Sequence, residues 1–119
     1  MEIDVALKRL SALAQQGRLE VFRLLVQAGD DGLPAGDLAR AAGVAPNTLS
    51  AQLTILTHAG LARSRREGRS IIYSADYDGM GDLLLYLMQD CCQGRREVCD
   101  PVAAAAAQSC CDQKEGMPA

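Results

Sequence analysis

The stretch from Leu33 to Ser74, LPAGDLARAAGVAPNTLSAQLTILTHAGLARSRREGRSIIYS, constrains the fold more than any other part of the chain. Ala35–Ala42 reads as a short helix ended by Gly43, and Pro46 follows three residues later. Proline suits the first turn of a helix, where its missing N–H has no intrahelical partner to lose. The second helix, from Asn47 to His58, collects Leu49, Leu53 and Leu56 on one side and stops at Gly60. Leu61–Arg66 and Arg69–Ser74 then form two strands around Glu67-Gly68, a turn in which glycine supplies the positive φ. Helix, glycine-bearing turn, helix and hairpin in that order predict a winged helix-turn-helix.

The flanks complete an all-helical frame. Ile3, Leu7, Leu10, Leu13 and Ala14 recur at helical spacing over residues 2–15. Gly17 reads as a break, after which Arg18–Gln27 is apolar on most faces through Leu19, Val21, Phe22, Leu24, Leu25 and Val26, as a central buried helix would be. Gly29 to Gly32 is a loop. A last strong helix runs from Asp78 to Cys92, and beyond Gly94 the character changes. Asp100-Pro101 would cap a short helix over the alanines 103–107, with Gln108 onward frayed. The expected fold class is mainly α with a small β-hairpin. Residues 1–92 form the working domain and 93–119 a cysteine-containing tail.

Charge points to the partner. The formal net charge is −3, yet residues 1–78 hold nine basic and nine acidic side chains, so the acid excess lies in the remainder. Arg63, Arg65, Arg66 and Arg69 against Glu67 make the hairpin locally +3, and no acid occurs between residues 38 and 66. Local charge, not the total, decides contact with phosphate. The helix before the hairpin is polar opposite its leucines. Asn47, Thr48, Ser50, Gln52 and Thr54 are the expected contacts with double-stranded DNA, because Asn and Gln pair bidentately with adenine and Ser or Thr reach bases or phosphates. The four arginines would bind the neighbouring backbone and set register. Any one of these residues would equally suit a solvated helix face; the combination favours DNA. His58, near the helix end, is read as capping or packing.

Other classes find little support. One Phe, three Tyr and no Trp leave little for base stacking on single strands. There is no glycine-rich phosphate loop and no nucleophile with a partner histidine, so no enzyme is expected. No apolar run approaches the roughly 18 residues that cross a bilayer, and MEIDVALKRL carries no signal-peptide pattern. The expectation is a cytoplasmic chain whose thiols stay reduced. A protein-binding module built on wing and tail is the remaining rival, distinguished by the absence of salt-dependent duplex binding.

The segment TLSAQLTILTHAGLARSRREGRSIIYS resembles the recognition helix and wing of the ArsR family of metalloregulatory repressors, and LSALAQQGRLEVFRLLVQAG is similar to that family's second helix. The resemblance spans about residues 5–92. It implies a homodimer that leaves its operator when an ion binds, with two reading heads about 34 Å apart on a pseudopalindrome. The apolar stripes of the first and last helices are the expected subunit seam, a monomer core being the alternative. The resemblance also implies where an inducer is to be sought. The family's third-helix cysteine pair is absent from Leu33–Ala39, and its last-helix zinc site needs histidines where this chain has only His58.

What remains is CCQGRREVC, with Cys91, Cys92 and Cys99, and further candidate ligands in Cys110 and Cys111. It resembles a C-terminal arsenite site found in some ArsR-type proteins, although the six-residue link before Cys99 departs from a short link. Thiolates select soft ions, and three thiolates without histidine suit pyramidal As(III) or Sb(III) better than tetrahedral zinc. Arg95 and Arg96 favour the thiolate form. On an unbroken helix Cys91 and Cys99 would lie about 12 Å apart along the axis, so binding must bend the chain near Gly94. Methylarsenite needs only two thiols; cadmium or lead would need a fourth. A disulfide switch and buried structural thiols stand as alternatives.

Overall fold

The computed structural model describes residues 1–88, within which five helices and one three-stranded sheet form. The order is α1 (Ile3–Leu13), α2 (Gln16–Ala28), β1 (Leu33–Pro34), α3 (Ala35–Ala42), α4 (Pro46–His58), β2 (Ala62–Glu67), β3 (Ser70–Ala75) and α5 (Tyr77–Met88). Met1–Leu84 is one compact unit; of a second unit starting at Leu85, the described residues are the last turn of α5.

The core is built from Val21, Phe22 and Leu25 of α2, Leu38 of α3, Leu49, Leu53 and Leu56 of α4, and Leu61 beside the wing. Leu25, Leu38, Leu56 and Leu61 are wholly enclosed, each worth roughly 1.5–3 kcal/mol of transfer free energy. α3 and α4 meet through a turn in which Gly43 takes φ +70°, and its N–H returns to the carbonyls of Ala39 and Arg40. A side chain there would meet steric strain from its own Cβ. Pro46 opens α4 as expected.

Three local expectations shift. Gly17 does not break a helix: α2 already begins at Gln16, because the Gln15 side chain caps it by accepting the Arg18 N–H at 2.8 Å. The hairpin is joined by a third strand, since Leu33-Pro34 pairs antiparallel with Ile72 and Tyr73 of β3, giving the order β1-β3-β2. The wing turn lies one residue later than expected: Glu67 still pairs with Ser70, leaving Gly68 (φ +60°) and Arg69 as the two turn residues.

α1 departs most from a simple amphipathic reading. Its buried residues are Ala6 and Ala12, whereas Ile3, Val5, Leu7 and Leu10 are exposed. Arg9 reaches from α1 to the junction of α4 and α5, its Nε donating to the Ala59 carbonyl at 2.9 Å and its Nη1 to the Gly79 carbonyl at 2.7 Å. There α5 starts against the end of α4 so closely that a Cβ on Gly79 would lie 1.9 Å from the Gly60 carbonyl oxygen.

Candidate nucleic-acid interface

α4 is fastened from within by Leu49, Leu53 and Leu56, and this fixes what faces outward. Asn47, Thr48, Ser50 and Thr54 are all exposed. Asn47 Oδ1 accepts the Thr48 N–H at 3.0 Å, which occupies one orphan donor of the first turn. Thr54 donates its hydroxyl to the Ser50 carbonyl at 2.8 Å, so its oxygen keeps its acceptor lone pairs for a ligand. Gln52 differs from these four. It is half-buried, and its Oε1 is enclosed with no hydrogen-bond partner among the described residues.

The wing adjoins this helix through Tyr73. Tyr73 lines a cleft of about 100 Å³ with Ala35, Gly36, Pro46, Leu49, Ser50 and Leu53. Side chains alternate across a strand, and the register pairs Ser64 with Tyr73 and Arg66 with Ile71. Ser64 and Arg66 therefore share the Tyr73 face, while Arg63 and Arg65 lie on the opposite face with Glu67. The sequence reading gave four arginines one role; the structure divides them. Arg65 donates to Glu67 Oε1 at 3.0 Å and to the carbonyls of Asp30 at 3.3 Å and Asp31 at 2.7 Å, tying the wing to the loop after α2. Arg63, Arg66 and Arg69 are exposed and make no side-chain hydrogen bond among the described residues. Ser64 was missed by the sequence reading, although strict alternation with Arg66 would have placed it.

His58 sits at the C-terminal end of α4, lining a groove of about 310 Å³ with Lys8, Ser11 and Arg18 of α1 and α2. Its side chain is exposed and makes no capping hydrogen bond among the described residues. Cys91, Cys92, Cys99, Cys110 and Cys111, with the bend at Gly94 and the helix over 103–107, lie outside the described residues. No described helix is long and apolar enough to cross a membrane.

A buried three-leucine helix with a polar outer edge, a glycine-bearing turn before it and a basic two-stranded wing after it define a winged helix-turn-helix module. A family model described as a helix-turn-helix domain matches residues 13–65. The chain is 43% identical over 65 residues to the HTH-type transcriptional regulator NmtR of Mycobacterium tuberculosis, covering 55% of this chain and 52% of that protein. It thus spans about half the length of that curated relative. A solved fragment from Mycobacterium bovis, described as the homodimeric winged helix-turn-helix DNA-binding domain of a possible ArsR-family transcriptional regulator, is 30% identical. It matches 72% of this chain and 78% of its own with a TM-score of 0.61. Reduced HlyU from Vibrio cholerae is 25% identical over 74% of this chain and 90% of its own, with a TM-score of 0.57. The chain belongs to the ArsR family of winged helix-turn-helix regulators.

Proposed function

We propose that this chain is a homodimeric transcriptional repressor that holds operator DNA with α4 and the β2–β3 wing and releases it when As(III) is bound by the thiolates of Cys91, Cys92 and Cys99. The observation that carries the DNA half is the outward edge of α4. Asn47, Thr48, Ser50 and Thr54 are presented together on a helix whose other face is locked by three leucines, and Arg63, Arg66 and Arg69 are exposed on the wing that follows it. Base-edge contacts from the helix would specify sequence, and the arginines would supply salt-sensitive grip. The dimer rests on α1, which turns Ile3, Val5, Leu7 and Leu10 to solvent, and on the homodimeric description of the M. bovis relative.

The inducer rests on the family's metal sensing and on donor chemistry. Five cysteines, with the one histidine far away in sequence at His58, offer a soft, sulfur-only set, and three thiolates match the pyramidal coordination of As(III) or Sb(III). Methylarsenite, which needs two thiols, is the variant of this reading that the Cys91-Cys92 pair would serve. A thiol redox switch is the second reading, favoured by the two adjacent pairs, Cys91-Cys92 and Cys110-Cys111, and by the likeness to HlyU, whose structure is described in a reduced form.

One titration separates these. A duplex bound by the protein is followed by fluorescence anisotropy while As(III), methylarsenite, Sb(III), Cd(II), Zn(II) or peroxide is added. The series is repeated for serine substitutions at each of the five cysteines. As(III) is expected to release the wild type and to fail with Cys91→Ser, Cys92→Ser and Cys99→Ser. Normal release of the triple variant would refute the site, and release by peroxide alone would replace the metal with oxidation.

A further inference from the structure

Gln52 is the expected base reader that does not point outward. At roughly 100° per residue around α4, it falls about 70° from the middle of the Leu49–Leu53–Leu56 stripe. It therefore sits on the flank that faces α2 rather than at the centre of the exposed edge. Its amide extends to the first turn of α2. A Cβ built on Gly17 would lie 2.3 Å from Gln52 Nε2, and the Gln15 amide oxygen lies 3.2 Å from the same point. Gln15 cannot follow readily, because that oxygen is already the cap of α2. The slot is open only because residue 17 has no side chain.

The slot also leaves the amide poorly served. Gln52 Oε1 is buried without a partner among the described residues, and an enclosed carbonyl that forgoes hydrogen bonds is a standing cost. Gly17 has a cost of its own in the same place, since alanine is favoured over glycine inside a helix. Two locally unfavourable choices meeting at one point indicate a feature that packing alone does not require.

We propose that Gly17 is a positioning residue: it provides a shallow parking slot for the Gln52 side chain, which must leave α2 to pair with an adenine edge in the operator. The proposal rests on the reading of α4 as the base-reading helix and adds to it how one reader is held in reserve. In the free protein the amide lies against α2. On DNA it swings out, and adenine N6 and N7 take up its carbonyl and N–H. Only the unparked fraction is competent, so the apparent affinity is reduced by that fraction. Gly17→Ala fills the slot and shifts only the far end of a flexible side chain, which makes eviction of Gln52 the cheapest response.

The test is a double-mutant cycle on a duplex selected by the wild-type protein from a random-sequence pool, with 7-deazaadenine replacing each adenine in turn. Gly17→Ala is expected to tighten binding roughly three- to tenfold, through removal of the parked state. The gain should vanish in a Gln52→Ala background and at the one adenine whose N7 is deleted. In the free wild type the Gln52 side-chain NH2 should show nuclear Overhauser contacts to the Gly17 Hα protons. Unchanged or weaker binding by Gly17→Ala, or the same change with and without Gln52, overturns the parking slot while leaving α4 as reader. If Gln52→Ala alone alters neither affinity nor base preference, Gln52 is no reader and the proposal falls with that reading. Should Gly17→Ala fold poorly, that wild-type contact decides alone: its absence overturns the slot.

Discussion

α1 and α2 both carry large apolar side chains at helical spacing, and the fold uses them in opposite ways. In α2, Val21, Phe22 and Leu25 go inward and Leu25 is sealed from solvent. In α1 the inward residues are Ala6 and Ala12, while Ile3 and Leu7 remain 61% and 56% exposed. Period tells which residues share a face; it does not tell which face the core takes. The small face of α1 lets that helix lie close enough for Arg9 to reach the ends of α4 and α5. The large face is then left over, and a second copy of the chain is the occupant proposed for it.

The comparison is broken most forcefully from the α2 side. Leu25→Ala should cost about 2–5 kcal/mol, the range for a large-to-small change in a filled core, read from urea unfolding. The loss should be the same at every protein concentration, because the cavity lies within one subunit. A loss below about 1 kcal/mol would mean that α2 is not the central helix its burial indicates. On the α1 side, Leu7→Glu with Leu10→Glu should leave the helical circular dichroism intact and raise the dimer dissociation constant about a hundredfold or more, roughly 2.7 kcal/mol. Light scattering at fixed concentration measures it. A dimer that survives both glutamates would place the seam elsewhere.

Arg9 sharpens the same contrast, since its side chain ties α1 to the ends of α4 and α5, while Arg18 of α2 donates to the Ala12 and Ser11 carbonyls in the last turn of α1. Arg9→Met keeps most of the stem and deletes both donors, leaving the Ala59 and Gly79 carbonyls to water. Charge-assisted hydrogen bonds are worth about 1.5–3 kcal/mol each when enclosed, and these are only part-buried. The expected loss is therefore about 2 kcal/mol in all, by thermal or urea unfolding. A neutral outcome would leave α1 held by apolar packing and by the Arg18 bonds to Ala12 and Ser11.

Legibility followed the range of the forces involved. α3, the turn and α4 were readable because Gly43 and Pro46 act on their own backbone, and the bounds of α3 match residue for residue. Leu33-Pro34 was not seen as a strand, because two residues become one only when Ile72 and Tyr73 supply the partner. Gly17 looked like a breaker because its reason for being small, the Gln52 amide, lies in another helix. The exposed edge of α4 was legible from periodicity. That Arg65 is engaged by a loop 34 and 35 residues earlier was not.

Tyr77 offers the smallest of these effects and tests the α2 side at its far end. Its hydroxyl donates to the Val26 carbonyl at 3.0 Å, fastening the start of α5 to the last turn of α2. Burial raises the phenol above its ordinary value near 10, and the negative charge of Asp30 raises it further. Both causes favour the neutral, hydrogen-bonded form in the folded chain. The contribution to stability is then complete below the unfolded value and is lost as pH climbs through the higher folded one. Tyr77→Phe should cost about 1 kcal/mol at neutral pH and remove this residue's share of the alkaline fall in stability. The comparison is made with melting curves from pH 8 upward, alongside Tyr73→Phe as a control for a tyrosine without that bond. Parallel wild-type and Tyr77→Phe curves across the alkaline range would show that the hydroxyl anchors no more than a phenyl ring does, and that α5 is seated by the close approach of Gly79 to Gly60, by Leu83 and by the Arg9 bond to Gly79.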